Sequence, residues 1–200
     1  QRAENEDELL ARIGVRKPYI FHSGGLSRRK NVSVLARAFA KFHRRHGDYQ
    51  LVLTGGDKPT NGDPALRRSL NTIPRGSVLR TGHVSHEVLA TLYRNAEFFV
   101  FPSLYEGFGF PPLEAQAAGC PVICSSATSL PEVVGDSALL FVPHSPAQLL
   151  AHMELLADPS NRPGLIAMGH ENVRKFPWGK AAREWLDLAD RVYAADRATR

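Results

Sequence analysis

Long apolar runs are missing from this 200-residue chain. No stretch approaches the ~20 residues that a bilayer-spanning helix needs, and no basic, then apolar leader opens it, so a soluble, cytoplasmic protein is expected. Cysteine is scarce: Cys120 and Cys124 are the two present. They fall four residues apart on one expected strand, about 13 Å at strand rise, which is too far for a disulfide. No second Cys or His pair stands at zinc spacing, and Asp57 and Asp63 lack a suitable third ligand, so no metal is expected. Stretches that interleave basic residues with aromatics are lacking too. The net charge of +5 is therefore spread out. Its two short clusters, Arg28-Arg29-Lys30 and Arg44-Arg45, read as a phosphate site and a solvated helix end, and nucleic acid is not an expected partner. Internal repeats and low-complexity tracts are absent.

What is present is an alternation of strand-like and helix-like segments. Residues 1–16 carry Glu4, Glu6, Asp7 and Glu8 before Leu9, Leu10 and Ile13, the pattern of a short amphipathic helix or linker. Expected strands are 19–23, 50–54, 77–80, 98–101, 122–124 and 139–142; expected helices are 32–46, 64–70, 86–95, 146–156, 162–176 and 178–195. Ser85 is the expected cap of the fourth-strand helix, 57–63 a polar loop and 129–132 a turn. The expected fold is α/β, a Rossmann-like doubly wound parallel sheet of about six strands with helices on both faces. It would occupy 17–176, with 177–200 as a separate C-terminal helix. Trp178 and Trp185, seven apart on that helix, are expected to pack on the domain core.

The chemistry concentrates in the run from Phe98 to Gly119. Four apolar residues form a buried strand, the loop Ser103-Leu104-Tyr105-Glu106-Gly107-Phe108-Gly109 follows, and Pro111-Pro112 opens a helix that Gly119 closes. Free amides at such a helix start suit an anion. Gly107 and Gly109 allow close backbone approach, Glu106 and Glu114 bracket the loop, and the side chains of Phe108 and Phe110 read as core. A ligand offering both phosphate and hydroxyl groups fits. A second loop, Gly24-Gly25-Leu26-Ser27-Arg28-Arg29-Lys30, also joins a strand to a helix, a place where a diphosphate is held. It matches neither a dinucleotide fingerprint nor a Walker loop. His22, at the end of the first strand, reads as a structural histidine, and His144, His152 and His170 as surface residues.

The run Pro-Ser-Leu-Tyr-Glu-Gly-Phe-Gly-Phe-Pro-Pro-Leu-Glu-Ala, continued by Gly119-Cys120-Pro121-Val122-Ile123, resembles the Glu-x7-Glu signature of retaining glycosyltransferases of family 4. The resemblance extends from about Tyr19 to about Tyr193. It implies the C-terminal, donor-binding half of a GT-B fold, with an N-terminal acceptor-binding domain as partner and the last helix crossing back towards it. On that resemblance Lys30 and Gly24 meet the donor diphosphate. Gly25 stands where many members carry an arginine, leaving Arg28 and Arg29 open as the second cation. Amides near Phe110 to Glu114, including that of Leu113, would face the leaving phosphate. Glu114 would bind the ribose, while Glu106 with Gly107, Phe108 and Gly109 would bind the transferred hexose. Main-chain groups of His83 and Val84 would read the base. Lys30 and Glu106 are the residues to which the resemblance gives a catalytic part.

The resemblance further implies no cofactor beyond a nucleotide-diphosphate sugar, GDP-mannose first or a UDP-sugar. A glycan or lipid-linked acceptor in polysaccharide or lipopolysaccharide synthesis follows, with peripheral attachment at the inner membrane face open for a full-length enzyme. Two other classes stand beside this one. A non-catalytic nucleotide-binding module would use the same loops; a retaining glycosidase would need Glu106 and Glu114 about 5 Å apart and no phosphate loop.

Overall fold

The computed structural model describes residues 2–56 and 63–198; most of the expected polar loop at 57–63 lies outside them. Six strands form one sheet: β1 (Tyr19–His22), β2 (Gln50–Thr54), β3 (Val78–Gly82), β4 (Phe98–Phe101), β5 (Val122–Ser125) and β6 (Leu139–Phe141). Every pairing is parallel and the order is β3-β2-β1-β4-β5-β6. Parallel sheets are covered on both faces, which explains strands that read as unbroken apolar runs. Alternate residues serve opposite faces. Ile20, Phe98 and Val100 join one core, and Tyr19, Phe21, Phe99 and Phe101 the other.

Helices cover each core. On the first face lie α2 (Val32–Phe42), α3 (Pro64–Leu70) and α7 (Pro146–Ala157). On the second lie α1 (Arg2–Arg12), α4 (His86–Asn95), α5 (Phe110–Ala117) and α6 (Leu130–Val134). The α8 helix (Arg162–Val173) packs beside α5, and α9 (Trp178–Ala198) follows. Winding runs outward from β1 through β2 to β3, then returns to β4 on the other side of β1. Such a reversal opens a crevice at the carboxyl ends of the two strands, and Ile20 and Phe21 pair there with Phe98 and Phe99.

Several expected boundaries shift. The helix expected to reach His46 ends at Phe42 and gives way to a turn. The expected turn at 129–132 is instead α6, because Pro131 sits in a first helical turn, where a missing N–H costs nothing. Ser85 does cap α4, its hydroxyl accepting from Val88 N at 3.3 Å. The expectation for the tryptophans is wrong. Both sheet faces are already covered by earlier helices, so α9 departs from the body and leaves Trp178 and Trp185 each 74% exposed. Trp178 merely stacks on Phe110, ring centroids 5.6 Å apart.

Since Trp178 and Trp185 are the chain's two tryptophans, the native emission should already resemble that of solvated indole. Unfolding in urea should shift it little while circular dichroism reports a cooperative transition. A large red shift through the same transition would mean that α9 is packed in solution.

Candidate functional site

The turns that follow β1, β2 and β3 lie side by side. Gly25 N donates to Thr54 O at 3.1 Å and Gly55 N to Gly82 O at 2.8 Å. Gly55 has φ +112°, and a Cβ there would fall 2.4 Å from Gly25 N, so no larger residue fits. These turns and the start of α5 enclose a cleft of about 600 Å³. It brings together five of the expected site residues: Gly24, Gly25, His83, Val84 and Glu114. His83 lies across Gly56, where an added Cβ would fall 2.4 Å from its Nε2.

Lys30 stands directly beside this cleft, its Nζ 3.1 Å from where a Cβ of Gly24 would sit. Arg28–Lys30 form a 3₁₀ turn that leaves Lys30 only 7% exposed. Its ammonium lies 4.8 Å from the Phe101 ring centroid and donates to Glu106 Oε1 at 2.6 Å. The same oxygen receives Ser103 Oγ at 2.7 Å, and Arg29 Nη1 lies 2.8 Å away. Arg29 also donates to Tyr105 O at 2.7 Å. Between the two open arginines, then, Arg29 is the one turned to Glu106, whereas Arg28 is exposed and makes no ion pair among the described residues. Burial works against ionising Glu106, yet hydrogen bonds from Lys30, Ser103 and Arg29 outweigh it and hold the carboxyl below its ordinary range.

The backbone of the acidic loop is held as firmly as its carboxylate. Thr128 Oγ1 accepts from Glu106 N at 3.0 Å, and Ser129 Oγ, with one hydrogen to share, lies 2.9 and 2.7 Å from the carbonyls of Glu106 and Phe108. Gly109 caps α5 at φ +122°, where a Cβ would fall 2.7 Å from Leu130. Gly107 has open space around its Cβ position. Phe108 is half-buried against Phe110 and Phe176, while Phe110, expected in the core, is 48% exposed. Pro111 and Pro112 lack N–H groups, so the free amides at this helix start narrow to Gly109 and Phe110. Leu113 N–H, fourth in the helix, is in register to bond back to Gly109 O.

His22 is the structural histidine expected: fully buried, with Nδ1 3.0 Å from Val100 O and Nε2 3.3 Å from Gly25 O. Burial pushes its pKa down to about 4, so the ring stays neutral. His144 and His170 are exposed, whereas His152 is half-buried and bonds Leu140 O. Among the described residues no His, Cys, Asp or Glu group is placed to hold a metal ion, and no helix is long and apolar enough to cross a membrane. Sequence reasoning missed Ser23, Tyr93, Ser103, Thr128 and Ser129. Ser103, three residues before Glu106, and Ser23, directly before Gly24, stood near enough in sequence to be found.

The family described as "Glycosyl transferases group 1" matches residues 6–167. The chain is 36% identical over 171 residues to the O-antigen chain mannosyltransferase B of Escherichia coli, covering 84% of this chain and 45% of that protein. It is 30% identical over 203 residues to the serotype-specific mannosyltransferase WbdA of the same organism, covering 98% of this chain and 24% of that one. Among solved structures, sucrose-phosphate synthase from Thermosynechococcus elongatus aligns with a TM-score of 0.78 and 32% identity, over 94% of this chain and 49% of that one. This chain thus spans about half or less of these relatives.

Because Glu106 titrates below its ordinary value near 4.5 when folded, its stabilising contribution is complete above that value. The contribution is lost as the pH falls through the folded value. Urea midpoints followed downward from about pH 5 should fall more steeply for the native chain than for Glu106→Gln, whose amide does not titrate. Parallel curves would show that the pairing adds nothing to stability.

Proposed function

The chain belongs to the glycosyl transferases group 1 family, and on that premise we propose that it is the donor-binding half of a retaining, family 4 glycosyltransferase. The donor is a nucleotide-diphosphate hexose, GDP-mannose first, and the acceptor a glycan or lipid-linked glycan of a bacterial surface polysaccharide. The observation that carries this reading is the Lys30–Glu106 pair beside the glycine-walled cleft, 2.6 Å from nitrogen to oxygen. A cation nearly sealed from water and a hydroxyl-binding carboxylate stand there side by side, as a sugar diphosphate requires. The mannosyltransferase relatives favour mannose.

At rest Lys30 and Arg29 are both engaged by Glu106. An incoming diphosphate, carrying more negative charge than one carboxylate, takes over these cations and frees Glu106 for the hexose. Breaking the sugar–phosphate bond throws charge onto the leaving diphosphate and leaves an oxocarbenium-like sugar. Lys30, Arg29 and the amides of Gly109 and Phe110 meet the first, and Glu106 meets the second. Such fixed groups stabilise the transition state more than the ground state, and losing one costs about 10²- to 10³-fold in rate. Retention follows from acceptor attack on the face that the diphosphate leaves. Glu114, at the other side of the cleft, takes the ribose, and His83 and Val84 line the base end. The acceptor site belongs to an N-terminal domain, so this chain alone binds donor and transfers little.

A thermal-shift panel of GDP, UDP, ADP and their sugar conjugates tests the reading. A ligand at 100 times its Kd adds about 2.7 kcal/mol, a plain rise in melting temperature, and GDP-mannose should give the largest. Lys30→Ala and Glu114→Ala should each remove most of it. No shift with any of these ligands, or a full shift in both variants, would move the site elsewhere.

A further inference from the structure

We infer that Tyr93 is a positioning residue for ribose recognition, acting through Glu114; this rests on the nucleotide-site reading above. Tyr93 lies on α4, is 3% exposed, and touches the cleft only from behind its wall. Its ring is wedged edge-on between two sheet aromatics, Phe21 at 5.0 Å and Phe99 at 5.2 Å. Its hydroxyl lies 2.8 Å from Ser23 Oγ and 3.0 Å from Glu114 Oε2. A carboxylate only accepts and a phenol has one hydrogen. Tyr93 therefore donates to Glu114, and Ser23 donates to Tyr93. The two ends of this directed chain, Ser23 and Glu114, both line the cleft.

A second buried phenol on the same face sets the contrast. Tyr19 bonds a backbone carbonyl, Leu92 O, at 2.8 Å and reaches no cleft residue. That is how a phenol with a packing role alone satisfies its hydroxyl. Tyr93 instead donates its hydrogen to an exposed glutamate. The bond fixes the carboxylate plane and engages Oε2, leaving Oε1 without a hydrogen-bond partner among the described residues. A carboxylate held in this way selects for a sugar bearing vicinal hydroxyls, the 2′ and 3′ hydroxyls of a ribonucleotide.

The test is isothermal titration of the full chain with GDP, UDP and ADP, each beside its 2′,3′-dideoxy counterpart. Tyr93→Phe keeps the ring and removes the hydroxyl. It should weaken the ribonucleotide by about five- to tenfold, within the range of a typical hydrogen bond, and the dideoxy form by less than about twofold. Glu114→Gln should reduce the same preference, with the double variant adding little. Ser23→Ala should reduce it in the same direction, and serves if Tyr93→Phe does not fold. Tyr19→Phe should lower the melting temperature and leave the ratio alone. Unchanged binding in Tyr93→Phe, or an equal loss for both sugars, would overturn the inference while the nucleotide site stands. If no ribonucleotide binds the native chain, or Glu114→Gln leaves the ratio intact, the site reading fails and this inference with it.

Discussion

A buried lysine and a half-buried glutamate meet at the seam where β1 and β4 part, and the local architecture follows from keeping them together. Lys30 comes from the turn after β1 and Glu106 from the loop after β4, so the pair joins segments 76 residues apart. Either charge alone would be costly in so dry a place. The surrounding bonds keep them matched: Leu104 N donates to Arg29 O at 2.8 Å, and Asn31 Nδ2 reaches Pro102 O at 3.2 Å and Pro143 O at 2.7 Å. Asn31 adopts φ +51° to do so, a conformation that asparagine tolerates better than most residues. The basic turn and the acidic loop thus order each other before any ligand arrives.

That arrangement divides the cleft by chemistry. Near the seam are the cations Lys30 and Arg29, both paired with the Glu106 carboxylate. Farther along, the glycines of two adjacent turns form a wall made of backbone, because a Cβ at Gly55 would collide with Gly25. On α5 itself is Glu114, whose carboxylate pairs with no cation among the described residues and is steadied by a phenol instead. On the proposed reading, the first turn of one short helix separates the diphosphate cations from the ribose carboxylate.

The amino-acid sequence exposed most of the scaffold and half of the site. The strands were legible because parallel strands are apolar on both faces, as in Phe98–Phe101, and α5 because prolines and glycines punctuate it. Lys30, Glu106 and Glu114 were legible through the motifs around them. The Tyr93–Glu114 bond was not, since it spans 21 residues and a tyrosine on a half-buried helix looks like any core aromatic. That Arg29 rather than Arg28 turns to Glu106 depends on a 3₁₀ turn that no periodicity announces. Trp178 and Trp185 misled because apolar spacing on a helix shows that a face exists, not that this domain covers it.

The account depends most on the exchange of partners at Lys30. A crystal structure of the chain with a nucleoside diphosphate sugar bound tests it directly. Phosphate oxygens within hydrogen-bonding distance of Lys30 Nζ, with the Glu106 carboxylate turned away towards the hexose, are the expected result. Diphosphate density elsewhere, with the Lys30–Glu106 pair still closed, would contradict it.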